Sequence, residues 1–192
     1  MICITERDKK IKEFLSDVGI ADTRTISILF FSDTTIRNCQ KRLKQLVDTK
    51  YIKVYRENVI SQNIYYSNKK PKNIAHKIVF SRLLAELKQH DIEVLKYRCP
   101  FKVADVIADG LVVLKANDIV KIYFIEVERT KKLDTDKYID LYYSRKWKEV
   151  FPVMPSILCI SDKNINTGHN VLDIVQVKFN LEDLYKLRLE FI

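Results

Sequence analysis

Two clusters in the sequence have catalytic or binding potential. Asp109 stands immediately before Gly110 at a break in the apolar run VIADGLVVL, and Glu126-Val127-Glu128 ends a second run, KIYFIEVE. Residues i and i+2 of a strand point to the same side, so Glu126 and Glu128 project together, and Asp109 on a paired strand joins them. Three carboxylates on one face make an oxygen-rich site suited to Mg²⁺ or Mn²⁺. Such a metal activates water and stabilises phosphoryl charge during in-line displacement. The plainer alternatives are a strand-end turn at Asp109-Gly110 and a wet edge-strand face at Glu126 and Glu128. The apolar neighbours Ile122, Phe124, Ile125 and Val127 favour a buried central strand, where carboxylates need a reason.

The second cluster is TTIRNCQKRLKQLVD, residues 34–48. Recognition of a duplex needs short polar groups for base edges and cations for phosphates. Thr34, Thr35 and Asn38 suit bases or phosphate, and Arg37 suits a bidentate contact to guanine. Lys41, Arg42, Lys44 and, further on, Arg56 suit the phosphate backbone. The plain alternative is a solvated helix face.

Periodicity defines the elements that carry both clusters. Ile11, Phe14, Leu15 and Val18 lie at helical spacing within residues 6–18, and Gly19 is a stop. A second helix over 23–31 turns Ile26, Leu29 and Phe30 inward. Ser32-Asp33 breaks the pattern, and Asp33 or Thr34 caps a third helix with Ile36, Cys39, Leu43, Leu46 and Val47 inward. Two short strands follow, one carrying Ile52, Val54 and Tyr55, the other Ile60, Ile64 and Tyr66, with a turn near Glu57-Asn58. Three helices and a hairpin predict an α+β winged helix-turn-helix domain over 1–68, with a basic linker at 67–72. The second domain, 73–192, reads as α/β, a mixed sheet flanked by helices. Its order is a helix at 73–90, strands at 92–97, 106–115 and 120–128, a helix at 134–150, strands at 156–161 and 174–179, and a terminal helix. That last helix is amphipathic enough to pair in a homodimer or, equally, to cap its own sheet.

Composition narrows the function classes. The chain has 192 residues, 34 Lys and Arg against 25 Asp and Glu, and a formal net charge of +9. Residues 1–70 hold 14 of those cations against 8 acids, so the excess lies in the part that carries the expected recognition helix and favours a polyanionic partner. Three glycines cannot build a phosphate loop or a dinucleotide fingerprint. Cys3, Cys39, Cys99 and Cys159 show no metal-ligand spacing and are read as reduced, mostly buried thiols of a cytoplasmic protein. No stretch approaches a membrane span, and the charged N-terminus is unlike a signal peptide.

Helix, strand, Asp at a bend, then Glu-x-(Lys or Glu) on the next strand, then a helix resembles the PD-(D/E)XK nuclease superfamily over residues 73–161. The resemblance implies Asp109, Glu126 and Glu128 as metal-binding and catalytic positions, with Glu128 where the pattern carries lysine. It implies Lys137 on the following helix as a migrated cation. Taken with the winged helix, His76, Asp109, Glu126-Val127-Glu128-Arg129-Thr130, Lys137 and Tyr138 resemble the replication-relaxation family of plasmids, phages and conjugative elements. That resemblance implies double-stranded DNA as partner, a role in replication or mobilisation, and replication or mobilisation proteins as possible partners. On the residues alone, His76 reads as a packing residue, and Tyr138, Tyr142, Tyr143 and Trp147 as the packing of a helix on the sheet. Two readings of the second domain follow, a Mg²⁺- or Mn²⁺-dependent endonuclease or nickase, and a non-catalytic scaffold, which the missing lysine favours. A transcription regulator with a ligand-sensing domain is the third alternative.

Overall fold

The computed structural model describes residues 2–58, 61–130, 132–165 and 171–192. The chain is a mixed α/β protein whose sheets combine parallel and antiparallel pairings. It divides into two compact units, Met1–Gln89 and His90–Ile192.

The first unit opens with α1 (Glu6–Val18). Thr5 and Asp8 cap each other's backbone reciprocally, which satisfies N–H groups that a helix start leaves unpaired. Gly19 ends the helix at φ 89°, a left-handed conformation that side chains disfavour. Strand β1 (Ala21–Asp22) leads into α2 (Thr23–Phe30), capped by Asp22. After α3 (Ile36–Asp48), β2 (Lys53–Tyr55) and β3 (Ile64–Tyr66) form a hairpin. The three strands pair antiparallel in the order β1-β3-β2.

Ile11, Phe14, Leu15 and Val18 of α1, Ile26 of α2 and Cys39, Leu43 and Leu46 of α3 are buried as their spacing predicts. The expectation differs at several places. Leu29 and Phe30 of α2 and Val47 of α3, expected inward, are only partly buried. Ile36, expected inward, is the first residue of α3 and is 51% exposed. In the hairpin it is Tyr65 that is buried, whereas Ile64 and Tyr66 are only partly covered and Val54 is exposed. A three-residue strand has too few alternations to fix its phase from sequence. Ile60, expected in the second strand, lies outside the described residues.

The larger difference is the boundary. Helix α4 (Ile74–Gln89), expected to open the second domain, belongs to the first unit, where it packs on α2 and β1. The Arg82 guanidinium donates to Asp22 at 2.7 Å. Lys88 donates to the Ile28 and Leu29 carbonyls at 3.1 Å each, which supplies cation and donor to the C-terminal end of α2. Residues 67–72 are correspondingly docked. Ser67 is buried against Ser16, with 3.0 Å between hydroxyls, and the Lys53 ammonium donates to the Asn68 carbonyl at 2.7 Å. Periodicity says nothing about such attachments.

The strands of the second unit are β4 (Glu93–Arg98), β5 (Phe101–Val103), β6 (Val106–Ala108), β7 (Gly110–Ala116), β8 (Ile119–Val127), β9 (Ser156–Ile160) and β10 (Ile174–Val177). Five of them form one sheet ordered β10-β9-β8-β7-β4. β7 pairs antiparallel with β4 and β8, while β8, β9 and β10 run parallel. The expected strand at 106–115 is broken at Asp109. Its first part, β6, pairs instead with β5 in a separate hairpin. The expected helix at 134–150 is interrupted at Arg145, which has φ 57°. It becomes α5 (Asp136–Ser144) and a short 3-10 turn at Lys146–Glu149, and the terminal helix is a 3-10 helix over Leu184–Phe191. One core of this unit gathers Leu111, Phe124, Ile157, Cys159, Tyr138, Leu141, Trp147 and Phe151. Tyr143, expected to pack, is 67% exposed. Among the described residues no helix is long and apolar enough to cross a membrane.

Candidate nucleic-acid interface and buried carboxylate pair

Helix α3 has two opposed stripes. Cys39, Leu43 and Leu46 recur at i, i+4 and i+7 and are buried. Arg37, Lys41 and Lys44 recur at the same interval, fall on the far side of the helix, and are exposed. Thr35 is the N-cap, one position later than expected, its hydroxyl accepting from the Asn38 N–H at 3.4 Å. Thr34 and Asn38 are exposed beside it. Thr34, Thr35, Arg37, Asn38, Lys41 and Lys44 therefore face solvent together, as a duplex contact requires.

Arg42 does not. It lies on the flank of α3, where it meets α1, and its guanidinium binds the buried carboxylate of Asp8 at 2.5 Å and the Cys3 carbonyl at 2.6 Å. Burial raises the Asp8 pKa, but the Arg42 hydrogen bond and those from Thr5 outweigh it and hold the group below its ordinary value. Arg42 is thus a structural counter-ion and not a backbone contact. Arg56, just past β2, is exposed, and its Nε donates to the Asn63 side chain at 2.9 Å. Asn63 in turn donates to the Tyr65 hydroxyl at 3.3 Å. A cavity lined by Lys44, Arg56, Asn63 and Tyr65 lies between α3 and the hairpin. The sequence alone assigns Asn63 no role, because the bond that orients Arg56 spans the hairpin.

In the second unit Glu126 sits on the central strand β8 and is 4% exposed. The register pairs Gly110 with Ile125, which sets Asp109 opposite Glu126, and pairs Glu126 with Cys159 on the other side. The Lys137 ammonium and the Tyr138 hydroxyl, adjacent at the start of α5, both donate to Glu126 Oε1, at 2.6 and 2.5 Å. Lys137 also donates to the Ile107 carbonyl at 3.3 Å. The Asp109 carboxylate accepts the Val127 N–H at 2.9 Å. Burial drives the Glu126 pKa up, against the Lys137 and Tyr138 hydrogen bonds and the Lys137 charge, and Asp109 adds to the rise. Burial, then the charge of Glu126 and its hydrogen bond, push the Tyr138 hydroxyl well above its ordinary range, so it stays a donor. Cys159 is pushed up to about 12, by burial first and then by Glu126, Glu128 and Asp109.

Asp109 and Glu126 therefore lie opposite each other on neighbouring segments of the sheet, and the charges of Asp109, Glu126 and Glu128 all bear on Cys159. They do not form a metal centre. Among the described residues no group of three or more His, Cys, Asp or Glu side chains is placed to hold an ion. The reason lies in the donors: Glu126 Oε1 already accepts from an ammonium and a phenol, and Asp109 accepts a backbone N–H. A divalent cation there would meet the Lys137 charge, whose nitrogen is 2.6 Å from Glu126 Oε1. The residues present do not fit Mg²⁺ or Mn²⁺. Tyr138, read as packing from the residues and as a motif position from the resemblance, donates to Glu126 beside Lys137. His76 lies on α4 in the first unit and not in the unit of Asp109 and Glu126. No protein-family model, curated protein or solved structure matches this chain.

Proposed function

We propose that this chain is a double-stranded-DNA-binding protein that reads DNA with α3 and the β2–β3 hairpin, its first unit being a winged helix-turn-helix. The observation that carries the reading is the exposed stripe Arg37, Lys41 and Lys44, with Thr34, Thr35 and Asn38 at the helix start, opposite the buried stripe of the same helix. The chain order α1-β1-α2-α3-β2-β3 and the sheet order β1-β3-β2 support it. So does the concentration of positive charge in residues 1–70. On this reading Arg37 contacts a base edge, Lys41, Lys44 and Arg56 contact phosphates, and Arg42 does neither.

The second unit, on this reading, is a nuclease-like scaffold that does not cut. The closed Glu126–Lys137–Tyr138 cluster favours this over an endonuclease or nickase. A place in replication or mobilisation of a plasmid, phage or conjugative element is the role that best fits a DNA-binding unit joined to such a scaffold.

The test is fluorescence anisotropy of a labelled duplex across a salt series, with Arg37→Ala beside the native protein. Affinity must fall linearly on logarithmic axes as salt rises, and Arg37→Ala must weaken binding. Salt-independent binding, or none, rejects the DNA reading. Incubation with supercoiled plasmid in Mg²⁺, Mn²⁺ or EDTA tests the second unit. Metal-dependent nicking abolished by Glu126→Ala would reject the scaffold reading.

A further inference from the structure

The first unit contains a second cationic feature, away from α3. A cavity of about 410 Å³ opens where the end of α1, the segment after β3 and the start of α4 meet, and Lys69, Lys70, Lys72 and Lys77 all line it. None of its lining residues is a carboxylate. Lys77 lies flat against the backbone at Gly19: a Cβ there would stand 3.1 Å from both its Cδ and its ammonium nitrogen. Like charges around one cavity repel one another, and a polyanion relieves that repulsion.

Two contacts tie the cavity's rim to β2. The Lys70 ammonium sits 3.1 Å from the centroid of the Tyr55 ring on β2, and Lys53, also on β2, holds the Asn68 carbonyl just before the lysines. The cations of residues 69–77 thus adjoin the Lys53–Tyr55 face of β2 and reach from it toward the end of α1. A linear, densely charged strand of phosphates matches such a row better than an isolated anion does.

We infer that Lys69, Lys70, Lys72 and Lys77 form a second phosphate-backbone contact that lengthens the DNA footprint beyond α3 and the hairpin. This rests on the DNA-binding reading above. The contact adds affinity and salt dependence without base preference.

The experiment is anisotropy with a 30-base-pair duplex between 50 and 200 mM salt, using the full chain. The variants are the fourfold Lys→Gln, the fourfold Lys→Arg, and the pair Lys69→Gln/Lys72→Gln, whose positions are exposed and least tied to folding. Each phosphate contact contributes about 0.9 to the log–log slope. The fourfold Gln variant is expected to lose about 3.6 from that slope, so the native protein loses about 150-fold more affinity across this range than the variant. The pair should lose about 1.8, and the Arg variant should keep the native slope. An unchanged slope in both Gln variants, with Arg37→Ala still weakening binding, overturns this contact and leaves the DNA reading standing. Native protein that binds no duplex overturns both. Inorganic pyrophosphate that fills the cavity without displacing duplex would assign it to a free anion and overturn the proposal.

Discussion

Replacing Lys137 with Met should destabilise the second unit in a way that depends on pH, and the dependence is the informative part. Glu126 is buried, and two donors stabilise its carboxylate, Lys137 and Tyr138. Removing one partner of a buried ion pair costs about 3–5 kcal/mol, because the other charge is left desolvated. Lys137 keeps 29% of its side chain in water, so solvent replaces part of the lost interaction and about 2–3 kcal/mol is expected at pH 7.5. The sign with pH follows from the direction of the shift. Burial raises the Glu126 pKa above its ordinary 4.5, so the folded state holds a proton there that the unfolded state has released. Stability therefore falls as pH rises from the unfolded value through the folded one. Loss of the Lys137 cation raises the folded value further and widens that window upward. At pH 4.5, the ordinary value, the raised carboxyl is more than half protonated and the cost should be smaller than at pH 7.5. The double substitution Glu126→Gln/Lys137→Met removes the charge and its counter-ion together, and should recover most of the loss at pH 7.5. Urea unfolding followed by circular dichroism at both pH values compares the native protein, the two single variants and the double variant. A Lys137→Met cost equal at the two pH values, or a double variant as unstable as the sum of the singles, would refute the account of Glu126 as a buried charge held by Lys137.

The first unit makes its own predictions. Arg42→Ala should cost about 2–3 kcal/mol in urea unfolding, since it strands the Asp8 carboxylate, while Lys41→Ala stays within about 0.5 kcal/mol and loses DNA affinity instead. The Asp8 pKa is depressed, so its contribution is present above the ordinary carboxylate value and lost as pH falls through the folded one; Arg42→Ala should flatten that acid-side loss. Leu83→Ala in α4 empties a fully buried position and should cost about 2–5 kcal/mol, measured by thermal unfolding. Thr5→Ala breaks the capping box of α1 and should cost about 1 kcal/mol by the same measurement. The Cys39 and Cys159 thiols, both buried and both pushed up to about 12, should resist a thiol reagent at pH 8 until urea unfolds the chain, whereas exposed Cys3 reacts at once.

Much of the helical packing is legible in the order of residues. The inward and outward stripes of α1 and α3 are properties of a 3.6-residue period, and the buried residues Ile11, Leu15, Cys39, Leu43 and Leu46 follow from it. The central position of β8 follows from its apolar stretch Ile122–Ile125, and the shared side of Glu126 and Glu128 from strand alternation. Alternation locates the β2–β3 hairpin but misplaces its phase at Tyr65, because three residues carry little periodic signal. Hydropathy runs through Asp109 as if 106–115 were one element, since a switch of pairing partners leaves no mark in it.

Local order along the chain is enough to set the main buried side of α1 and α3, where the positive charge is concentrated, and which strand carries an acid among apolar neighbours. These depend on residues a few positions apart, whose geometry the backbone period already sets. The partners of the charges come from packing between distant elements. Arg42 and Asp8 are 34 positions apart, Arg82 and Asp22 are 60, and Glu126 lies 11 and 12 from Lys137 and Tyr138. Whether a cation on a helix surface faces solvent or closes on a buried carboxylate depends on which element packs beside it. That arrangement pairs Arg42 with Asp8, assigns α4 to the first unit, and sets an ammonium and a phenol on Glu126.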